Sequence, residues 1–249
     1  MNTIKQFEKY LFVFAHPDDE VYCCGLMHQL IDEGKTVKAI FITNGDAGVN
    51  AESRVAELKE SLDAIGVQES DIILMAYPEK QVMTSFSAIA KALQNIITKV
   101  APDCIVGMDF EGGHEVHDSA SFLTSKSIDG LRQTHYVFPV YHIEQGCRVG
   151  AIFAPGLEAS DNIQLNTLDV NTKIKVLEAH RGQIGHFLHL QRQSPEYFQR
   201  LFSREVFRLI EKPMDYTIRP LGEIGYEAHR NGFKFEDFKQ EVESLEVKT

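Results

Sequence analysis

Short apolar runs alternate with helical patterns through the first 108 residues, and this alternation limits the fold more than any other feature. Each run is short enough to be a buried strand, and each segment between two runs is long enough for a crossover helix. The predicted strands are residues 11–15, 36–43, 71–75 and 104–108, and the predicted helices are residues 21–33, 51–65 and 85–100. The pattern predicts an α/β fold: a doubly wound, mostly parallel, Rossmann-like sheet with helices on both faces.

The chain beyond residue 113 follows a less regular pattern, without a repeat, a low-complexity segment or a clear linker. Its predicted helices are residues 118–131, 169–180 (with Asp169 as the N-cap) and 195–202, and its predicted strands are residues 136–141, 161–168 and 204–210. A charged segment at 222–246 is expected to be partly helical. We therefore expect residues 1–249 to form a single domain.

The charge balance and the apolar runs restrict the partners of the protein. A net charge of -11 repels a phosphate backbone, so we expect no binding to nucleic acid. No apolar run approaches the roughly 18 residues of a membrane span, and the N-terminus lacks the layout of a signal peptide. We expect a cytoplasmic protein whose cysteines are buried, reduced thiols, namely Cys23, Cys24, Cys104 and Cys147.

Two polar clusters stand where strands of the predicted sheet end. Residues 16–19 (HPDD) follow the first strand, and residues 111–118 (EGGHEVHD) follow the fourth. Open α/β sheets bind ligands beyond the carboxyl ends of their strands, and the early strands of such sheets usually lie centrally. We therefore expect the two loops to converge.

Together the two clusters contain the residue types of a catalytic metal site. His16, Asp19 and His117 form a set of two histidines and one carboxylate, which suits a divalent ion of zinc type and leaves positions open for water and substrate. Asp18, beside these ligands, could act as a general base toward the water. His114 could protonate a leaving amine or stabilise an oxyanion.

Each cluster taken alone also has a simpler explanation. Asp18, Asp19 and Glu20 at the start of a helix are stabilised by the helix dipole without any further role. His114 and His117 could be solvated loop residues, since an isolated H-x-x-H pair is a weak motif. The functional interpretation depends on the two clusters lying at the same edge of the sheet.

The segment AHPDDE at 15–20, together with GGHEVHD at 112–118, resembles the PIG-L/LmbE-like family of zinc-dependent N-acetylglucosaminyl deacetylases. Weaker similarity extends to TNGD at 43–46, to an R-x-x-E helix with Arg54 and Glu57, and to AHRGQ at 179–183. The similarity spans about residues 10–185, which we expect to be the core. The C-terminal segment, about 186–249, is then an irregular extension that packs on this core.

The resemblance implies a role for each candidate residue. The two-histidine, one-carboxylate set would bind Zn²⁺, with another divalent ion such as Fe²⁺ left open. Asp18 would be the general base that activates the water. His114 would stabilise the tetrahedral intermediate and assist departure of the amine, and Arg54 would contact the substrate or its oxyanion.

One departure from the family pattern concerns the partner of His114. The family often has an aspartate between its two later histidines, where it can orient the first of them, and this chain has Val116 there. We therefore expect Glu111 or Asp118 to orient His114 instead.

Other polar residues have simpler expected roles. His28 is expected at a surface or satisfied core position, and His180 in a structural role or in the pocket wall. His142 and Arg148, after the predicted fifth strand, are candidates for the mouth of the pocket.

These observations lead to one leading hypothesis and two alternatives. The leading hypothesis is a zinc-dependent hydrolase that removes an N-acetyl group, by cleaving a linear C–N amide, from a small-molecule amino sugar or a glycoconjugate. The alternatives are a catalytically degraded sugar-binding protein on the same fold, and a metal-dependent hydrolase of another bond. The sequence leaves open a homo-oligomer.

Overall fold

The computed structural model describes residues 3–46, 50–229 and 233–246. The strands are β1 (Lys9–Phe14), β2 (Thr36–Thr43), β3 (Ile72–Tyr77), β4 (Cys104–Met108), β5 (Thr134–Phe138), β6 (Tyr141–Glu144), β7 (Cys147–Gly150), β8 (Asp161–Gln164) and β9 (Arg204–Leu209). The helices are α1 (Cys24–Asp32), α2 (Ala51–Ile65), α3 (Phe86–Val100), α4 (Glu115–Ser127), α5 (Thr167–Ala179), α6 (Ile184–Gln193), α7 (Pro195–Ser203), α8 (Gly225–His229) and α9 (Phe235–Glu246).

A seven-stranded sheet with the order β3-β2-β1-β4-β5-β9-β8 forms the centre of the fold. The five strands β3 to β5 in this order run parallel, and β9 and β8 continue the sheet in antiparallel pairing. Helices α1, α2 and α5 pack together, and α3, α4 and α9 form a second group. The predicted α/β fold with a mostly parallel, doubly wound sheet is confirmed.

The two central strands are buried on both faces. In β1 every residue from Tyr10 to Phe14 is buried, and so is every residue of β4. A continuous apolar run is what a parallel strand covered on two sides requires. Phe14 stacks on Phe41 of β2 with 4.9 Å between ring centroids, which joins neighbouring strands within the core.

The strand order reverses at β1, which has β2 on one side and β4 on the other. Phe12 of β1 pairs with Val106 of β4 in parallel register, so the segments that follow these two strands leave the sheet at the same edge. In open α/β sheets the crevice at such a reversal is the usual ligand site. This topology brings together the two polar clusters of the sequence.

The helix after β4 begins earlier than the sequence predicted, at Glu115 instead of residue 118. His114 is the N-cap, and its Nδ1 atom accepts a hydrogen bond of 3.1 Å from the backbone N–H of Val116. A side chain that accepts from an N–H of the first turn satisfies a donor that has no partner within the helix. His114 and His117 therefore lie at the rigid start of a helix and not in a free loop.

The prediction that Asp169 is the N-cap of α5 is wrong. Asn166 is the N-cap, because its side chain accepts from the backbone N–H groups of Leu168 and Asp169. Asp169 Oδ2 in turn accepts from the backbone N–H of Asn166 at 2.8 Å. The two residues form a reciprocal capping box, in which the acid stands three residues inside the cap.

The predicted strand at 136–141 is divided in two. β5 ends at Phe138, and β6 begins at Tyr141 as the first half of a hairpin with β7. Gln145 and Gly146 form the turn, both with positive φ. The hairpin returns the chain, so that Arg148 on β7 lies close to Tyr141 on β6.

The C-terminal segment packs its apolar face against the helices near β4. Phe235, Phe238, Val242 and Leu245 of α9 are buried. The ring of Phe238 lies 6.2 Å from that of Phe86 in α3, which ties the last helix to the core. No helix within the described ranges combines the length and the apolar character that crossing a membrane requires.

The cysteines differ from the expectation at one position. Cys23, Cys24 and Cys104 are buried free thiols, as expected, whereas Cys147 is exposed on the hairpin. Burial raises the pKa of each of the three buried thiols, which keeps them in the neutral form.

Candidate active site

A cavity of about 220 Å³ opens at the carboxyl ends of β1 and β4. All six residues singled out from the sequence line this one cavity, namely His16, Asp18, Asp19, Arg54, His114 and His117. They come from the segment after β1, from α2, and from the start of α4. The convergence expected from the order of the strands is therefore present in the structure.

His16, Asp19 and His117 lie together at the bottom of this cavity. His117 Nε2 is 3.3 Å from Asp19 Oδ1, and His16 Nδ1 is 3.5 Å from Asp19 Oδ2. The backbone N–H of His16 donates a hydrogen bond of 2.6 Å to Asp19 Oδ2. This bond fixes the Asp19 carboxylate and leaves its Oδ1 atom directed toward His117.

These three residues fit a metal ion of zinc type. One donor atom from each residue lies within 4.8 Å of the others. His16 Nε2 is buried and has no hydrogen-bond partner among the described residues, which is unusual for a buried polar atom. Burial opposes ionisation of Asp19, but the charges and hydrogen bonds of His117 and His16 hold its pKa well below the usual range. An anionic carboxylate and two imidazoles form the donor set that zinc prefers.

Glu79 was not identified from the sequence, and it lies against the same histidines. Its Oε1 atom is 3.7 Å from His114 Nε2, and its Oε2 atom is 3.9 Å from His16 Nε2. The three residues form a second group whose donor atoms lie within 4.8 Å of one another. Glu79 follows the carboxyl end of β3, so the rule that selected the other two loops could have found it.

The backbone of Asp18 adopts a conformation that residues other than glycine rarely have. Its φ of 114° and ψ of -15° lie on the left-handed side of the map, a strain of the order of 1–3 kcal/mol that is common at functional sites. Asp18 Oδ2 lies 3.1 Å from Arg54 Nη2. Burial raises the pKa of Asp18, and the positive charge of Arg54 opposes this effect.

Glu20, the third acid of the run, lies under the turn and not in the cavity. Its Oε2 atom accepts from the backbone N–H of Asp18 at 2.9 Å. Its Oε1 atom accepts from the hydroxyl of Ser61 and lies 2.5 Å from His180 Nε2. Burial opposes ionisation, but His180 and Ser61 lower the pKa of Glu20. Glu20 and His180 therefore hold the strained turn of Asp18 in place.

Neither Glu111 nor Asp118 orients His114, so this expectation is corrected. Glu111 Oε2 accepts from the backbone N–H groups of Val140 and Tyr141. Asp118 Oδ1 accepts from the backbone N–H groups of Glu111 and Gly112. Both carboxylates stabilise loops, because each of them accepts hydrogen bonds from two backbone N–H groups.

The described contacts of His114 instead assign its tautomer. Since Nδ1 accepts from the backbone N–H of Val116, the proton of the neutral imidazole is on Nε2. That nitrogen faces Glu79, and Glu115 lies 3.5 Å from Nδ1. Glu79, which follows β3, is thus a carboxylate beside the Nε2 atom of His114.

Arg54 is almost fully buried in the cavity wall, with 3% of its surface exposed. Its guanidinium contacts the carbonyl oxygen of Pro17, the carboxylate of Asp18 and, at 3.6 Å, Glu57. Gly45 has φ +68°, and a Cβ atom there would lie 3.0 Å from Arg54 Nε. The glycine of the loop after β2 is therefore needed for close approach. The substrate contact expected of Arg54 stays a prediction.

The opposite wall comes from the hairpin and from α6, which the sequence pattern did not resolve. Tyr141, Arg148, Gln183 and His186 line it, together with Tyr22. Arg148 lies at the cavity as expected. His142, in contrast, is fully buried and contacts Glu144 at 2.8 Å, so its expected place at the pocket mouth is corrected.

Known proteins support the family and the fold. Residues 11–128 match the family model described as PIG-L: GlcNAc-PI de-N-acetylase. The fold is similar to that of N,N'-diacetylchitobiose deacetylase from Pyrococcus horikoshii, with a TM-score of 0.63 and 19% identity, over 93% of this chain and 89% of that chain. It is also similar to the zinc-inhibited form of teicoplanin deacetylase Orf2, with a TM-score of 0.62 and 13% identity, over 80% and 97% of the two chains.

The same fold also occurs in a protein with a different reaction. The 4-carboxy-2-hydroxymuconate hydratase GalB from Pseudomonas putida KT2440 matches with a TM-score of 0.57 and 14% identity, over 83% of this chain and 98% of that chain. No curated protein matches the sequence significantly. At such identities the structural likeness concerns the fold alone. The match to the PIG-L family model covers residues 11–128, and this segment carries both polar clusters.

Proposed function

We propose that the protein is a zinc-dependent hydrolase that removes an N-acetyl group from an amino sugar or a glycoconjugate. The observation that carries the proposal is the convergence of His16, Asp19 and His117 on one point, with the carboxylate of Asp18 beside them. The PIG-L segment and the two similar structures named as deacetylases support the same reaction.

His16, Asp19 and His117 would hold the ion at the bottom of the cavity. A bound zinc ion supplies a Lewis acid that polarises an acyl carbonyl and lowers the pKa of water to near neutrality. The protein adds the orientation of the ligands, since the backbone N–H of His16 fixes the carboxylate of Asp19.

Asp18 would take the proton from the attacking water. Its turn is held from below by Glu20, and its carboxylate is held from the side by Arg54. A base positioned in this way accepts the proton without first having to rotate, which is where its contribution to the rate arises.

His114 would act on the acyl oxygen and on the leaving amine. The proton on its Nε2 atom is available to the oxygen that gains charge in the tetrahedral intermediate, and then to the departing amine. Glu79, on the Nε2 side at 3.7 Å, stabilises the imidazole when it carries positive charge. Hydrolysis then yields a free amine and acetate.

The alternatives left by the sequence receive less support. A degraded sugar-binding protein has no need for a complete ligand set with a strained, carefully held acid beside it. A hydrolase of phosphoesters more often uses two metals with many carboxylates, and the second group here shares His16 with the first. The hydratase GalB has a similar fold and a different reaction, so the assay has to identify which bond is cleaved.

The test combines metal analysis with an assay of amine release from N-acetylated sugars, sugar nucleotides and glycoconjugates. The wild-type protein is expected to hold one zinc ion and to release amine and acetate in equal amounts. Asp18→Ala should keep the zinc and lose nearly all turnover, whereas His16→Ala should lose both. Asp63→Ala, at an exposed position of α2, is the matched control and should change neither. Full turnover in Asp18→Ala would overturn the role of the base.

A further inference from the structure

We propose that the wall formed by the hairpin and α6 is a subsite for an anionic group of the substrate, with Arg148 as the residue that recognises it. The proposal rests on the proposed function, since it describes the substrate of the same cavity. It goes beyond that function by naming a substrate class: N-acylated amino sugars that carry a phosphate or a carboxylate.

The position of Arg148 is held by two contacts. Its guanidinium lies over the ring of Tyr141, 4.1 Å from the centroid. Its Nη1 atom donates a hydrogen bond of 3.1 Å to His186 Nε2. Stacking and hydrogen bonding reduce the conformational freedom of a long side chain, so less entropy is lost when a ligand binds to it.

Within the part of the chain that the structure describes, no carboxylate forms an ion pair with Arg148, whose contacts there are with Tyr141 and His186. Arg54, the other arginine of the cavity, differs because it contacts Asp18 and Glu57. The cavity therefore has one arginine that holds catalytic residues and one that is available to a ligand.

The groups around Arg148 do not compete for an anion. His186 accepts the hydrogen bond from Arg148, so its Nε2 atom carries no proton and the other ring nitrogen is a donor. Burial and the nearby charge of Arg148 lower the pKa of His186, which keeps the ring neutral. Gln183, whose side-chain amide can donate, lines the same cavity.

Tyr141 lies between the metal site and Arg148. Its ring is 5.8 Å from the ring of His117 and 4.1 Å from the guanidinium of Arg148. A substrate that places its amide at the metal site can therefore reach Arg148 with an anionic group.

The short distance between Arg148 and the metal site indicates where the anionic group is attached. The ring of Tyr141 lies 5.8 Å from that of His117 and 4.1 Å from the guanidinium of Arg148. We therefore expect the anion on the acylated sugar itself or on a unit joined directly to it. Phosphate and carboxylate are both suited to the planar fork of an arginine.

The test uses full-length, zinc-loaded protein and compares neutral N-acetylglucosamine with three anionic probes. These are N-acetylglucosamine 1-phosphate, N-acetylglucosamine 6-phosphate and N-acetylmuramic acid, which distinguish a phosphate at either position from a carboxylate. We expect kcat/KM for amine release to be at least about tenfold higher for one anionic probe than for the neutral sugar. In Arg148→Gln this ratio should fall by about tenfold or more, with the larger part of the change in KM.

Two variants separate a subsite from a general effect of charge. Arg148→Lys keeps the positive charge without the planar fork and should recover part of the preference. Arg132→Gln removes the same charge from an exposed position outside the cavity and should leave the preference unchanged. Equal rates on neutral and anionic probes in the wild type, or the same ratio in Arg148→Gln, would overturn the subsite.

A binding measurement keeps this proposal distinct from the proposed reaction. Absence of amine release from every probe contradicts the deacetylase but leaves the subsite testable by calorimetric titration with the three anionic probes. Binding of at least one of them that weakens about tenfold or more in Arg148→Gln supports the subsite. Equal binding by the two proteins, or no binding to the wild type, overturns it.

Discussion

The Nη2 atom of Arg54 lies 3.1 Å from the Oδ2 atom of Asp18, within a wall that buries the guanidinium almost completely. The family resemblance implied that Arg54 contacts the substrate or its oxyanion, whereas the described contacts of Arg54 are with the protein. Arg54 also reaches the carbonyl oxygen of Pro17, the residue before Asp18. The arginine, the turn and the acid therefore form one unit.

Arg54→Gln is expected to lower kcat by about 100-fold while the zinc content stays at that of the wild type. The physical reason is that the variant removes the group that orients Asp18, and a small displacement of a catalytic group costs a factor of this size. Steady-state kinetics and metal analysis of the same preparation provide the measurement. Arg181→Gln, at an exposed pair with Glu60, is the control. An unchanged kcat in Arg54→Gln would rule out the orienting role.

Glu79→Gln is expected to lower kcat by about 10- to 100-fold, the usual cost of removing a partner of a metal-site histidine. The amide has the shape of the carboxylate but not its charge, so it stabilises a positively charged His114 less well. Zinc should remain bound, because Glu79 lies outside the proposed ligand set. If Glu79→Gln loses zinc while Asp19→Asn retains it, the ion belongs to the group of His16, Glu79 and His114 instead.

Glu20→Ala is expected to destabilise the protein by about 3–5 kcal/mol, because it leaves a buried imidazole and two further donors without their partner. The groups that lose their partner are the imidazole of His180, the hydroxyl of Ser61 and the backbone N–H of Asp18. Denaturant unfolding at neutral pH measures the change in free energy. Glu69→Ala, at an exposed pair with Lys59, should leave the free energy of unfolding nearly unchanged. A loss in Glu20→Ala as small as that of the control would contradict the structural role.

His135 is expected to make the protein less stable in acid. Burial, with the charge of Arg208, lowers the pKa of His135 from 6.5 to about 4. Between these values the unfolded chain binds a proton that the folded chain does not, so stability is complete above about pH 6.5 and falls as the pH drops toward 4. The difference in pKa corresponds to about 3 kcal/mol.

Comparison with His135→Gln tests this dependence on pH. Denaturant unfolding of both proteins between pH 4 and 7 is expected to show the acid loss in the wild type and a smaller loss in the variant. Titration of Asp109 has the opposite effect on stability as the pH falls, because burial raises the pKa of Asp109 to about 7 despite the positive charge of Arg208. The measured quantity is therefore the difference between the two proteins. Parallel curves would show that His135 is not the neutral buried group.

Much of the fold could be predicted because its signals are local. An apolar run such as residues 11–15 predicts a buried strand wherever the chain carries it, and the intervening helices imply parallel pairing. The predictions were less accurate where contacts among several residues decide where an element begins. Asp169 and Asn166 are both good N-caps by type, and only the hydrogen bonds show which one begins α5.

Part of the candidate site could likewise be predicted from the sequence. The rule that ligands lie beyond the carboxyl ends of strands selected His16, Asp19 and His117 from loops about a hundred residues apart in the chain. The same rule also applies to Glu79, which follows β3, but nothing in the sequence indicates that this acid faces His114. Arg148 was placed near the pocket mouth, but its stack on Tyr141 had no counterpart in the sequence.

The sequence by itself determined the order of strands and helices through β4 and the types of side chain at the edge of the sheet. Only the tertiary structure decided which of these side chains meet. Glu79 lies beside His114, Glu20 lies under Asp18, and Arg148 has no carboxylate partner among the described residues. The physical reason is that an ion pair or a hydrogen bond requires contact within a few ångströms. The packing of elements far apart in the chain sets that distance, and no local pattern contains it.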